Sequence, residues 1–162
     1  DGGFNVTRQK STQERFIFGE EPLLQARASF YYPSNNQFAL GPQEGIADGA
    51  RVGLIIDYEY GDTYDARRHK YHEVRVGQQS QIVRMLVAGR LDVAIMFDRV
   101  ARSTMETMGM AQDSIKRGAL NHSSDIYLVF SKKNPLAEDY ARQFDRGLKI
   151  IKASGEYADI LQ

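Results

Sequence analysis

The run Val93, Ala94, Ile95, Met96 and Phe97, with Asp92 before it and Asp98 after it, constrains the fold more than any other stretch. A strand with one wet face alternates apolar and polar residues, so five apolar residues in a row read as a strand buried on both faces. Such strands belong to sheets that carry helices on each side. "RVGLIID", at 51–57, is a second run of the same kind.

Around these two runs the period changes. "HEVRV", at 72–76, alternates like a half-buried strand. "SQIVRMLVAG", at 80–89, sets Ile82, Val83, Met85, Leu86 and Val87 in a helical stripe, with Ser80 as the expected N-cap and Gly89 as the C-terminal stop. "DRVARSTMETMG", at 98–109, reads as a helix capped by Asp98, and "GDTYDARRHK" as a short polar helix. "QARASFYYP", at 25–33, is β-prone and closed by proline, and "SDIYLVFSKKNP" is a strand ending in a turn. In the last stretch Leu136, Tyr140, Phe144, Leu148 and Ile151 recur at helical spacing, and Gly155 breaks that helix before a short final one. The loop "PSNNQFALGPQEGIADGA", at 33–50, has little periodicity and is the candidate linker.

Strand and helix in alternation predict parallel βαβ units, hence an α/β sheet covered on both faces. Ligands of such sheets sit beyond the carboxyl ends of the strands, where Asp57 and Asp98 both fall.

Charge and composition remove several function classes. Lys+Arg and Asp+Glu are both 21, so no basic surface is available to neutralise phosphates, and no nucleic-acid partner is expected. With 42% hydrophobic residues over 162 positions, the chain can bury a core as one domain or two small lobes. The lack of cysteine excludes disulfides and thiolate metal sites. His69, His72 and His122 are dispersed, so no metal is expected. There is no GxGxxG, no P-loop lysine and no Ser–His–Asp spacing, so neither a cofactor nor a catalytic residue is expected. No apolar stretch is long enough to span a bilayer. The opening "DGGFNVTRQK" has neither an initiator Met nor a signal region, for which a processed or truncated chain is the simplest explanation.

Three places invite a ligand. Asp98 ends a buried strand and starts a helix; besides capping, its carboxylate can hold a ligand ammonium as a charge-assisted pair. "IDYEYGDTYD", at 56–65, is a strand, a turn with Gly61 and a helix start, read either as an anion-favouring turn of backbone N–H groups or as an ordinary βα turn. Arg15, in "STQERFIF", is a snorkelling surface arginine or a guanidinium fork suited to a carboxylate.

Taken in order, "TQER" followed by "EEPLL", then "ARVGLIIDYEYGD", "VRMLVAGRLDVAIMFD", "DIYLVFSKKNP" and "GLKIIKASGEYADIL" resemble the family 3 extracellular solute-binding proteins, the polar amino-acid receptors of bacterial ABC importers. The resemblance covers nearly the whole chain and implies a periplasmic-binding-protein-like type II α/β fold of two hinged lobes. Residues 1–32 would be the remainder of lobe one with the first hinge strand, 33–122 lobe two, and 123–162 the return hinge strand with C-terminal helices packing on lobe one. Lobe one would be incomplete here, and such a chain is expected to self-associate through its exposed apolar surface. By the same resemblance Arg15 clamps an amino-acid α-carboxylate, Asp98 accepts the α-ammonium, and the turn of Tyr58, Glu59, Tyr60, Gly61 and Asp62 helps hold the carboxylate through backbone N–H groups. The function implied is capture of a small polar solute, an amino acid, in the interlobe cleft for ABC-type import, with a membrane permease as partner and the periplasm as location. Two rivals share the fold: a ligand-sensing domain of a signalling receptor, and a dehydratase-like enzyme with Glu59 and His122 as its candidate acid and base.

Overall fold

Apolar period decides most of the elements. A computed structural model describes residues 2–8, 10–35 and 46–161. In chain order they form β1 (Gly2–Thr7), α1 (Lys10–Arg15), β2 (Phe16–Phe18), β3 (Leu24–Pro33), β4 (Arg51–Ile55), α2 (Asp62–Asp65), β5 (His72–Val76), α3 (Gln79–Val87), β6 (Val93–Phe97), α4 (Asp98–Thr107), β7 (Ile115–Ser131), α5 (Ala137–Ser154) and α6 (Glu156–Ile160), with a 3₁₀ turn at Arg68–Lys70. They divide into two compact units, one holding the chain up to Gln25 and from Ser124 onward, the other Ala26–Ser123. The sequence places these crossings at 32/33 and 122/123. Residues 26–33 go with the second unit because Ala28, Ser29, Phe30 and Tyr31 pair with β6. Most of the expected linker at 33–50, and the chain's first residue, lie outside the described residues.

In the second unit the strand order is β5-β4-β6-β3-β7. β4 runs parallel to β5 and to β6, with Gly53 opposite both Val74 and Ala94, as βαβ connections require. β3 lies antiparallel on β6, with Ala28 opposite Phe97, so the sheet is mixed rather than wholly parallel. Alternate residues of β6 feed two cores. Ala94 and Met96 join Ile82, Val83, Leu86 and Met105 on the side of α3 and α4. Val93 and Ile95 join Val52, Leu54, Tyr60 and Tyr64 on the other. Burial on both faces is why the run carries no polar residue, and each fully buried Val, Leu or Ile stabilises by about 1.5–3 kcal/mol.

The ends of α3 show how local signals resolve. Ser80 is not its cap. The helix begins at Gln79, two residues before the start that a Ser80 cap implies, after an extended Gln78 (φ −136°, ψ 139°) whose backbone N–H donates to the Gln81 side chain at 3.2 Å. At the other end Gly89 takes a left-handed φ of 66°, which lets its N–H reach Leu86 O at 3.0 Å and that of Arg90 reach Met85 O at 2.8 Å.

The first unit is smaller. β1 and β2 both pair antiparallel with the last part of β7, Val6 opposite Tyr127 and Phe18 opposite Val129. α5 buries Ala137, Ala141, Asp145 and Leu148, whereas Leu136 and Tyr140, expected on the inner stripe, stay 48% and 40% exposed. Asp145 explains the shift in phase. Its carboxylate accepts the backbone N–H of Glu20 at 2.9 Å and of Glu21 at 3.4 Å, so the helix turns that polar group inward. The preceding Gly19 permits the approach, because a Cβ there would lie 2.4 Å from Asp145 Oδ1.

Candidate ligand site

β6 delivers Asp98 to its carboxyl end. Phe97 stands at the cap position with extended backbone (φ −66°, ψ 129°), so Asp98 is the first helical residue rather than the cap. Its carboxylate is used elsewhere. Oδ1 accepts the Tyr31 hydroxyl at 3.1 Å and Oδ2 accepts Nη2 of Arg117 at 2.6 Å. Arg117 is steadied from behind, where its Nε donates to the Oγ of fully buried Ser29 at 3.2 Å. Burial, with the negative charge of Asp98 and its hydrogen bond, pushes the Tyr31 hydroxyl far above the usual tyrosine range. Tyr31 therefore remains a neutral donor at any physiological pH. The Asp98–Arg117 pair is half open to solvent, the arginine side chain 50% exposed and the aspartate 21%.

The turn after β4 is built by two left-handed residues, Asp57 (φ 62°) and Gly61 (φ 83°). Aspartate is one of the few residues with a side chain that tolerates that conformation. Gly61 meets a second demand, since a Cβ on it would lie 3.3 Å from the Cβ of His122. Between them Tyr58 and Glu59 are exposed and Tyr60 is buried. The Tyr60 hydroxyl accepts the N–H of Ile55 at 2.6 Å and donates to its carbonyl at 3.2 Å, so this side chain pins the turn to its own strand. Burial pushes that hydroxyl up to about 12. The Tyr60 carbonyl accepts Nδ2 of Asn121 at 2.8 Å. The same amide lies 2.7 Å from Nδ1 of His122, which as the acceptor leaves the ring proton on Nε2. His122 packs edge-on against Phe97, and Phe97 against Tyr58, with centroids 5.8 and 6.1 Å apart.

Within the second unit Phe97 and His122 thus join Tyr58 to Gly61, with Tyr60 as internal support and Glu59 and Asp62 exposed on the turn, while the Asp98 carboxylate is held by Tyr31 and Arg117. Arg15 belongs to the first unit. It is the last residue of α1, exposed, with its guanidinium 5.3 Å from the ring centroid of Phe16. Among the described residues no three His, Asp or Glu side chains gather as metal ligands. Sequence reading missed Arg117, Ser29, Tyr31 and Asn121. Apart from His122 beside Asn121, their partners are 19 to 88 residues away, and the stretch before Ser124 shows no period that would place Arg117 on a strand.

Solved structures share this fold. The probable amino-acid ABC transporter extracellular-binding protein ytmK of Bacillus subtilis matches with a TM-score of 0.78 at 16% identity, over 96% of this chain and 66% of its own. An amino acid ABC transporter substrate-binding protein of Streptococcus pneumoniae, bound to L-arginine, matches with a TM-score of 0.74 at 14% identity, over 96% of this chain and 63% of its own. A histidine kinase sensor domain with similarity to periplasmic binding proteins matches at 0.73 and 15% identity, over 99% and 67%. The chain therefore spans about two thirds of the length of the structures it matches. No protein-family model and no curated protein matches it in sequence. At these identities the likeness is one of fold: a mixed α/β architecture shared with periplasmic-binding-protein-like structures.

Proposed function

We propose that the chain is a solute-binding receptor for an amino acid, acting in the periplasm with an ABC-type membrane permease. The observation that carries this reading is the carboxylate of Asp98, which follows a doubly buried strand at the carboxyl end of the sheet. That is where open α/β sheets receive ligands. Asp98 is assigned the α-ammonium, and the backbone N–H groups of residues 58–62 a share of the α-carboxylate. The Tyr60 side chain pins the turn to its own strand.

The work is binding, without a covalent step. His122 receives an amide donor at Nδ1 instead of the carboxylate partner that would orient a general base, and Glu59 stands exposed on the turn. The likeness to a histidine kinase sensor domain favours a second reading, in which the same capture drives signalling instead of import.

A thermal-shift screen against the common L-amino acids tests ligand capture. A ligand at a hundred times its dissociation constant stabilises by about 2.7 kcal/mol, which moves the melting temperature of a domain of this size by several degrees. One group of amino acids is expected to give that shift, and Asp98→Asn to abolish it. An undiminished shift in Asp98→Asn would remove the ammonium role. No shift from any amino acid would overturn the receptor reading.

A further inference from the structure

We infer that Arg117 is an internal competitor for the ligand's ammonium, occupying Asp98 until an amino acid displaces it. The inference rests on the receptor reading, because it concerns which cation that carboxylate holds.

The pairing is specific. Arg117 Nη2 meets Asp98 Oδ2 at 2.6 Å, the short range of charge-assisted bonds, while its Nε is held by Ser29 at 3.2 Å. Ser29 Oγ sits on a residue with no solvent exposure, in the middle of β3, so one edge of the guanidinium has a fixed anchor. The Tyr31 hydroxyl occupies the other oxygen of Asp98. Both carboxylate oxygens therefore have donors and the charge is neutralised, so an arriving ammonium finds an ion pair where it needs a free anion. Binding must exchange one cation for another. Since the arginine side chain is half exposed, it can withdraw toward solvent without being buried unpaired.

The exchange has a readable cost. Breaking a partly exposed charged pair of this kind weakens the competing ligand by up to about fivefold. Arg117→Gln removes the competing charge and should bind the amino acid up to about fivefold more tightly than wild type. Arg117→Lys keeps a cation but loses the fork on Ser29 and Asp98, and should fall between the two.

The test is calorimetric titration of wild type, Arg117→Gln and Arg117→Lys with the L-amino acids, alongside a thermal-unfolding double-mutant cycle of Arg117→Gln and Asp98→Asn without ligand. Tighter binding in Arg117→Gln, or binding in that variant alone, supports the competition, as does a non-zero coupling between the two sites in the cycle. Equal or weaker binding in a folded Arg117→Gln overturns it, because the arginine would then be idle or itself a ligand contact. Zero coupling overturns it without reference to any ligand. If no amino acid binds any of the three proteins while the coupling is intact, the receptor reading falls and takes the competition with it.

Discussion

His122 pays for its position with its charge. Burial lowers its pKa below the ordinary 6.5, and the amide of Asn121 stands at Nδ1 where an imidazolium would need an acceptor. A histidine with a lowered folded pKa binds fewer protons folded than unfolded. Stability is therefore complete above about pH 6.5, and is lost as pH falls through the window between the unfolded and folded values. Glu73 and Asp92 do not blur this window. Burial would raise Glu73, but hydrogen bonds from Arg68, Arg75 and Tyr64 outweigh it and hold it below the usual range. Hydrogen bonds from Arg51 hold Asp92 low in the same way. Both begin to matter only in more acid solution. The melting temperature of wild type is expected to decline as pH falls below about 6.5, and that of His122→Gln to decline less. Parallel profiles would show that His122 titrates as freely as it does in an unfolded chain. At this scale Asp98 and Gly61 were legible, because a strand end and a turn announce themselves in local order. Arg117 and Ser29 were not, because only the pairing of β3, β6 and β7 brings them to Asp98.

Elements were legible where their period was clean. The α3 stripe of Ile82, Val83 and Leu86 is fully buried, while its last member, Val87, is 49% exposed at the helix end. Leu86→Ala should thus cost about 2–5 kcal/mol through lost burial and a cavity between α3 and the sheet, and Val87→Ala well under 1 kcal/mol. Denaturant unfolding of both variants checks the contrast, and similar losses would mean that α3 is rotated from the face described. α5 was readable as a helix but not in phase, since hydrophobicity marks Leu136 and Tyr140 whereas the fold turns Asp145 inward to two backbone N–H groups. β7 begins at Ile115, well before its apolar stretch, because a strand end needs hydrogen-bonding neighbours more than it needs hydrophobic residues.

At the level of the whole chain, the two units differ in what keeps them closed. Among the described residues, every member of the group of largest fully buried side chains lies in the second unit except Val129. That unit also carries both apolar clusters, one on each face of its sheet. The first unit relies on a short antiparallel sheet, the single stripe of α5, and polar ties such as Tyr157 to the Leu23 carbonyl at 2.6 Å and Lys152 to Glu21 at 3.2 Å. Amides open with the cooperative unit that contains them, and apolar burial sets how costly that opening is. Native-state hydrogen exchange should accordingly find its slowest amides in β4 and β6, at Val52, Leu54, Ala94 and Ile95, and much faster exchange in β1 and β2. Leu148→Ala, on the inner face of α5, should speed exchange in β1 and β2 while β4 and β6 stay slow. Slowest exchange in β1 or β2, or equal acceleration of all four strands by that substitution, would mean that the chain opens as one body and that burial in the second unit is not what limits it.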